Sequence, residues 1–148
     1  MASIQNRIVR AVSGLNIRLY RASSGRVMGK VRGIPLLLLT VAGRKTGAKH
    51  TVPVSYFEDD GRYVVTGSAG GTPAEPQWFR NLRQAEKATI EVGPKRMEVS
   101  VAVAGPDEHK ILWEKLIAKA PFFAKYETKA GREIPMATLT RLPPAQPG

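Results

Sequence analysis

The fold of this chain is decided between residues 35 and 68, which read PLLLLTVAGRKTGAKHTVPVSYFEDDGRYVVTGS. The apolar run at 35–42 is short and suits a strand that is buried on both faces. β-Branched and aromatic residues at 51–57 and 63–68 predict two further strands, and the Asp-Asp-Gly between them predicts a hairpin turn. Pro53 indicates an edge or a bulge in the second strand. Three strands joined by short turns predict an antiparallel sheet.

The rest of the chain supplies a second hairpin, a last strand and helices that would flank the sheet. Apolar periodicity and turn signals predict a helix at 3–22, a loop leading into a short helix at 72–84, a hairpin at 88–104, a helix at 106–120, a further helical segment at 121–129 and a strand at 132–142. This order argues against a doubly wound parallel sheet. It predicts an α+β or mainly β fold, a small antiparallel barrel with flanking helices.

The 148 residues suit one barrel domain with short additions at its ends. A basic amphipathic helix and a linker are expected at 1–33, the barrel at 34–142 and a disordered tail at 143–148. The sequence contains no Cys, which excludes disulfides, thiolate nucleophiles and cysteine metal sites. No apolar run is long enough to span a bilayer and no signal peptide is visible, so a cytoplasmic location is expected.

Positive charge is concentrated in the first part of the chain. The formal net charge is +11, and residues 1–57 hold ten Lys and Arg residues but no acidic residue. This asymmetry indicates an anionic partner, whether nucleic acid, a membrane surface or a polyanionic small molecule, although a solvated basic surface explains it too. Loop 43–50 has no aromatic residue to stack on bases, which disfavours nucleic acid. The helix at 3–22 suits a membrane interface or packing on protein, and both alternatives stay open.

Hydrolytic chemistry finds little support in the sequence. The two histidines are His50 and His109, and the second is predicted to lie exposed on a helix. Neither metal-ligand spacing nor a pair of catalytic carboxylates is evident. A redox cofactor would supply chemistry that the side chains themselves lack.

The turn at 43–47, GRKTG, superficially resembles a phosphate loop but does not have its spacing. That motif needs four residues between its glycines, whereas three lie between them here, and a strand rather than a helix follows. What remains is a cationic turn. Arg44 and Lys45 suit a phosphate or carboxylate, Thr46 adds a hydroxyl, and the glycines would let backbone amides approach an anion. An ordinary basic hairpin turn explains these residues equally well.

A second suggestive segment is GSAGGTPAEPQWFRNL, residues 67–82. Small residues at the end of a strand would let a flat ring approach the backbone. Trp78 would cover such a ring, while Ser68 and Asn81 offer hydrogen bonds. A glycine-rich turn followed by a core tryptophan is the alternative interpretation.

Taken together, these segments resemble the deazaflavin-dependent nitroreductase family of actinobacteria. The resemblance covers nearly the whole chain and rests on GRKTG (43–47), GG…PQWFRNL (70–82), the Ile-Pro at 134–135 and the basic N-terminal helix. It implies a split β-barrel, similar to FMN-binding barrels, that binds reduced coenzyme F420, a deazaflavin with an anionic phospholactyl-polyglutamate tail. It also implies hydride transfer to a quinone, an enone or a nitroaromatic compound. A split barrel with FMN or another ligand, and a non-catalytic membrane-surface protein, are the alternatives.

The resemblance also implies a set of site residues. Ser68 and Tyr126 would be catalytic, as hydrogen-bond or proton donors toward the acceptor. Cofactor contacts would come from Arg44, Lys45, Thr46, Lys49, His50, Val54, Ser55, Thr66, Gly67, Ser68, Ala69, Gln77, Trp78, Asn81 and Phe123. His50 and Ala69 replace an arginine and a lysine of the family pattern. No metal is implied.

The implied partners are a small electron acceptor and, through residues 3–22, the cytoplasmic face of the plasma membrane. No nucleic acid is expected. The protein would be a monomer or a homodimer.

Overall fold

The computed structural model describes residues 14–26, 30–31, 34–68 and 74–143. Its strands are β1 (Lys30–Val31), β2 (Ile34–Ala42), β3 (Lys49–Asp59), β4 (Arg62–Thr66), β5 (Lys87–Val92), β6 (Lys95–Val103) and β7 (Met136–Arg141). Its helices are α1 (14–22), α2 (Gln77–Gln84), α3 (Pro106–Lys119) and α4 (Phe123–Ala130).

Strands β2 to β7 close into an antiparallel barrel. Their order is β2-β3-β4-β7-β6-β5, and β5 pairs back with β2. The two residues of β1 extend β2 beyond the barrel. Closure leaves few unpaired strand edges. The structure therefore confirms the predicted barrel with flanking helices.

The leucine-rich strand β2 is buried on both faces, as its sequence predicts. Leu37, Leu38 and Leu39 are completely shielded although neighbouring side chains point to opposite faces of a strand. Leu37 and Leu39 belong to the barrel interior, where they pack with Phe79 and Leu82 of α2. The helix α2 therefore contributes its apolar side to the same core as the strands.

A second core lies on the outer face of the barrel, beneath α3 and α4. It is built from residues of β3, β4, β7 and the two helices, namely Phe57, Val64, Leu112, Leu116, Ala120, Phe123 and Met136. The predicted break at Pro121 separates α3 from α4. This packing fixes α4 against the face of the sheet on which the candidate site lies.

The barrel wall is split beside the first half of β3. Residues 49–55 of β3 pair with β2, but the ladder to β4 begins only at Tyr56. One side of β3 is thus free of strand pairing around Pro53 in the described part of the chain. A proline is tolerated there because it has no N–H to offer a neighbouring strand. The edge position predicted from Pro53 is confirmed, and the opening becomes part of the site.

The hairpin between β3 and β4 turns as the sequence predicts. Asp60 and Gly61 have φ of 52° and 78°, the two positive values of a type I′ turn. Asp59 at its base contacts Lys115 Nζ of α3 at 2.6 Å and Arg62 Nη2 at 3.1 Å. These ion pairs join the hairpin to α3.

The predicted strands at 63–68 and 132–142 are too long. β4 ends at Thr66, and β7 begins only at Met136. Helix α4 ends at Gly131, whose left-handed φ of 65° redirects the backbone, and residues 132–135 form an irregular connection. Pro135 lacks the N–H that a ladder would use.

Helix α1 is attached to the barrel through two neighbouring side chains. The buried Tyr20 hydroxyl donates toward the carbonyls of Leu36 (3.1 Å) and Glu91 (3.2 Å) and accepts the Gly93 N–H at 2.8 Å. Arg21 forms a bidentate pair with the Glu91 carboxylate.

The remaining parts of the terminal predictions lie outside the described residues. These are residues 3–13 of the predicted helix and 144–148 of the predicted tail. Among the described helices, none has the length and apolarity to cross a membrane.

Candidate active site

The cationic turn between β2 and β3 is closed by its own backbone. Gly43 N–H donates to Ala48 O at 2.7 Å, Gly47 N–H donates to Gly43 O at 2.8 Å, and Ala48 N–H donates to Thr46 Oγ1 at 3.2 Å. Gly47 takes the positive φ of 77° that the turn requires. The N–H groups of Gly43, Gly47 and Ala48 are therefore used within the turn itself.

Arg44 ties this turn to α2. Its backbone N–H and its Nη1 both donate to Asn81 Oδ1, at 3.1 and 2.7 Å, and its Nη2 donates to Gln77 Oε1 at 2.8 Å. Both partners are neutral carboxamides. They therefore hold the guanidinium in one orientation while leaving its positive charge uncompensated.

The turn and α2 enclose a depression of about 370 Å³, here called the cationic groove. Its walls come from Gly43, Arg44, Lys45, Thr46, His50, Val52, Gln77, Trp78 and Asn81. A Cβ on Gly43 would approach His50 Nε2 to 3.2 Å and Ala48 O to 3.3 Å, so the imidazole packs closely on the turn.

A second depression of about 290 Å³, here called the apolar cavity, lies between the split in the barrel and α4. Strand residues form one wall and the start of α4 forms the other. Its lining residues are Ile34, Leu36, Pro53, Val54, Ser55, Thr66, Ser68, Trp78, Phe122, Phe123 and Tyr126.

Trp78 belongs to both depressions, so the cationic groove and the apolar cavity adjoin. The described residues that line them include no Asp or Glu. The combined site thus has a positive end and an apolar end. This arrangement suits an elongated ligand with an anionic tail and a planar head.

A few polar side chains lie among the mostly apolar residues that line the apolar cavity. Thr66 is buried, and its Oγ1 has no hydrogen-bond partner among the described residues. Ser68, with 8% of its surface exposed, follows two residues later along the chain. A buried hydroxyl without a partner is destabilising, which suggests that a bound molecule satisfies it.

Aromatic rings cover the cavity from the side of α4. The Tyr126 ring meets Phe122 and Phe123 edge-on, with centroids 5.6 and 5.3 Å apart, and the two Phe rings lie 4.8 Å apart. These contacts fix the rings relative to one another. They form an aromatic wall on this side of the cavity.

Most of the site residues expected from the sequence are brought together. Arg44, Lys45, Thr46, His50, Gln77 and Asn81 line the groove, Val54, Ser55, Thr66, Ser68, Phe123 and Tyr126 line the cavity, and Trp78 lines both. Gly67 lies beside the cavity at the end of β4. Ala69 falls outside the described residues.

Lys49 is the expected residue that the structure places elsewhere. It lines a separate depression of about 170 Å³ with Lys87 and Glu98. Side chains alternate along a strand, so Lys49 and His50 point to opposite faces of β3. Lys49 therefore lies outside the groove that His50 lines.

The structure also corrects the expectation for His109. Only 9% of it is exposed. Its Nε2 lies 2.6 Å from Ile134 O and its Nδ1 lies 3.1 Å from Glu133 Oε1, while its ring stacks on Trp113. The connection before β7 folds over this face of α3, which helical periodicity does not reveal.

Sequence reasoning missed several wall residues. They are Ile34, Leu36 and Pro53 in the cavity and Val52 in the groove. The alternation of Pro53 with Ser55 along β3 was the available signal. Clusters of three or more metal-ligating side chains are absent from the residues that the structure describes.

The sequence model of the family described as F420H(2)-dependent quinone reductase matches residues 13–141. The F420H(2)-dependent quinone reductase Rv1261c of Mycobacterium tuberculosis is 33% identical over 131 residues, which cover 86% of this chain and 88% of that protein.

Solved structures that superpose on this chain include an F420-dependent enzyme. An F420-H2 dependent reductase (FDR-A) superposes with a TM-score of 0.64 at 29% identity, covering 71% of this chain and 93% of that chain. A structure described as a domain-swapped dimer has a TM-score of 0.65 at 26% identity and covers 88% and 98%. The FMN alternative receives no support. The chain belongs to the F420H(2)-dependent quinone reductase family and is an F420-dependent oxidoreductase with a split β-barrel fold.

Proposed function

We propose that the protein transfers a hydride from reduced coenzyme F420 to a quinone across the apolar cavity. The observation that carries this proposal is the position of Trp78, which is a wall of both the cationic groove and the apolar cavity. A cofactor with an anionic tail and a planar head fits a site of this polarity. The relatives described as quinone reductases support the choice of acceptor class.

The residues of the site fit this cofactor. The positive charge of Arg44 is not compensated by its partners, because Gln77 and Asn81 are neutral, and Lys45 stands exposed beside it. The tail would lie against this pair. The Thr66 hydroxyl is left without a partner in the cavity, where a heteroatom of the head or the acceptor would satisfy it.

Reduced F420 supplies the hydride from C5 of its ring when it is bound. The protein contributes orientation and the exclusion of water. Trp78 and the aromatic wall formed by Phe122, Phe123 and Tyr126 would stack against planar groups. Ser68 and Tyr126 are the groups at the cavity that would donate a hydrogen bond or a proton to a quinone oxygen.

The acceptor class is tested by following reoxidation of reduced F420 in absorbance. The panel comprises a naphthoquinone, a benzoquinone, an enone and a nitroaromatic compound, with FMN as a competing ligand. Rapid turnover with quinones is expected. No turnover above the uncatalysed rate with either quinone would exclude the proposed acceptor, and turnover only with the nitroaromatic compound would reassign it.

We also propose that α1 contacts the cytoplasmic face of the membrane. Leu15 and Leu19 lie four residues apart on one side of this helix, and they are 56% and 36% exposed. Tyr20 and Arg21 hold the helix to the barrel through other contacts, and Arg18 is exposed beside the leucines. An apolar strip with neighbouring cations suits an anionic lipid surface.

Sedimentation with vesicles tests this contact. We expect the protein to pellet with anionic vesicles and not with neutral ones, and we expect the L15S/L19S variant to stay in the supernatant at unchanged activity in solution. Equal sedimentation of both proteins would exclude α1 as the contact. Light scattering of the same proteins without vesicles distinguishes a monomer from a homodimer.

A further inference from the structure

One arginine outside both depressions is bonded to the backbone directly before Ser68. Arg132 follows Gly131 directly after α4, and its Nη2 donates to Gly67 O at 3.1 Å and to Ala74 O at 3.2 Å. A single guanidinium nitrogen thus joins the backbone at Gly67 to the backbone at Ala74.

The connection formed by residues 132–135 also bonds to the backbone N–H of Gly67. Gly67 N–H donates to Pro135 O at 2.9 Å. A Cβ on Gly67 would come within 3.0 Å of Phe79 and of Pro135, so the backbone is packed without spare room. Ser68, whose side chain faces the apolar cavity, is therefore attached to a backbone that residues 132–135 hold in place.

Arg132 also connects the two walls of the apolar cavity. Helix α4 contributes Phe123 and Tyr126 to one wall, and the chain leads from this helix through Gly131 into the arginine. The end of β4 contributes Thr66 and Ser68 to the opposite wall. Arg132 itself lines a different cleft, between α3 and α4, so its influence on the cavity passes through Gly67 and Ala74.

We propose that Arg132 is a positioning residue that holds the backbone at Gly67 and thereby sets the location of Ser68 for hydride transfer. Fixing this backbone before binding lowers the conformational entropy lost when a ligand is bound. Arg132 is not a catalytic residue, since it touches neither depression. The kinetic part of this proposal rests on the proposed quinone reduction, whereas the attachment of Gly67 does not.

Amide hydrogen exchange of the free protein tests this attachment directly. In Arg132→Ala, exchange of the Gly67 amide, which donates to Pro135 O, is expected to be about 10-fold faster, with β2 and β6 unchanged. Arg141→Ala, which removes an exposed arginine at the end of β7, is the matched control and should leave this amide unchanged. Wild-type exchange of the Gly67 amide in Arg132→Ala overturns the proposal regardless of enzymatic activity.

Steady-state kinetics test whether Arg132 affects turnover by positioning Ser68. Arg132→Ala should lower kcat/KM for the quinone about 10-fold to 100-fold. The R132A/S68A double variant should be no slower than the slower single variant, because both changes act on one group. Additive losses would show that Arg132 acts elsewhere. If Arg132→Ala does not fold, Arg132→Lys provides both readouts, with faster exchange and slower turnover expected from its single ammonium group.

The two hypotheses fail in different ways. Absence of quinone turnover by the wild-type protein contradicts the proposed function and leaves the exchange result to decide the role of Arg132. Normal turnover of both the wild type and Arg132→Ala contradicts the positioning role alone.

Discussion

Arg44 and Thr66 illustrate what single residues contribute to the site. Arg44 is fully oriented by Gln77 and Asn81, and its charge is nevertheless available to a ligand. Thr66 is in the opposite state, since it is buried with a hydroxyl that no described residue satisfies. The charge of Arg44 is thus uncompensated in the free protein. The unsatisfied hydroxyl of Thr66 destabilises the free protein, and a ligand that bonds to it would remove this destabilisation.

Arg44→Ala should weaken binding of F420 about 10-fold to 100-fold, because a charged hydrogen-bonding group is lost. Binding of the deazaflavin ring without its phosphate and glutamates should be unchanged. Quenching of Trp78 measures both affinities in a Trp113→Phe background, since these are the two tryptophans of the chain.

Lys49→Ala is the control for Arg44→Ala, because it removes a cation that lies outside the groove. Its affinity for F420 should equal that of the wild type. Equal losses for the two ligands in Arg44→Ala would contradict contact between Arg44 and the tail.

Thr66→Val should weaken binding at the cavity about 5-fold to 10-fold and should raise the free energy of unfolding of the free protein by up to about 1 kcal/mol. The reason is that valine has nearly the same shape and removes only the unsatisfied hydroxyl. Urea unfolding and Trp78 quenching measure the two quantities.

Thr138→Val is a matched control in the neighbouring strand. Thr138 is also buried, but its hydroxyl donates to Ala102 O at 3.4 Å, so its loss should destabilise the protein. Unchanged affinity in Thr66→Val would mean that the ligand does not use this hydroxyl.

Among the elements, the β3–β4 hairpin and α3 are joined electrostatically. The Asp59 carboxylate is bonded by Lys115 of α3 and by Arg62 at the start of β4, and Arg62 also reaches Glu108 of α3 at 3.3 Å. The hydrogen bond from Lys115, followed by that from Arg62, holds the pKa of Asp59 below its ordinary value. The link between these elements is therefore sensitive to acid.

The difference in unfolding free energy between the wild type and Asp59→Asn should depend on pH. A lowered pKa in the folded state stabilises the protein above the ordinary pKa of Asp, about 4, and this stabilisation is lost as the pH falls through the folded pKa. The difference should be at most about 1 kcal/mol at neutral pH, since half of the Lys115 side chain is exposed.

Urea unfolding between pH 2 and pH 7 measures this difference. Measurements at intervals of about 0.5 pH units are sufficient to resolve its pH dependence. Asp60→Asn in the same turn controls for the loss of a carboxylate. A constant difference across the range would show that the ion pairs do not stabilise the hairpin.

At the scale of the whole molecule, contacts between distant parts of the chain attach α1 to the closed barrel. Tyr20 meets Glu91 and Gly93 at the end of the second hairpin, and it also meets Leu36 of β2. Burial raises the pKa of Tyr20, so its phenol stays neutral and both donates and accepts hydrogen bonds. The attachment spans the junction between β2 and β5 at which the barrel closes.

Tyr20→Phe should lower the free energy of unfolding by about 1 kcal/mol, because the Gly93 N–H loses its acceptor. Equilibrium unfolding in urea, followed by circular dichroism, measures this change. Leu15→Ser alters an exposed side chain of the same helix and should change stability by less than about 0.5 kcal/mol. Equal stability of Tyr20→Phe and the wild type would show that this attachment contributes nothing.

The sequence by itself determined the secondary elements and the polarity of the site. The leucine run, the Asp60–Gly61 turn and the break at Pro121 act over a few residues, so their patterns are visible in one dimension. The turn containing Arg44 and the segment containing Trp78 were likewise recognisable from their composition. These local signals indicated a small antiparallel barrel, whereas the anion-binding role of the turn was implied by the family resemblance.

Only the tertiary structure decided which of these residues meet. In the folded chain Lys49 lies outside the groove, His109 is buried, and the Thr66 hydroxyl has no partner among the described residues. Arg132 lies in the connection before β7, not in a strand, and it contacts Gly67 at the end of β4. Each outcome depends on the side of an element that faces a segment far away in the chain. Barrel closure and the docking of α4 set those encounters, and neither is encoded in the spacing of neighbouring residues.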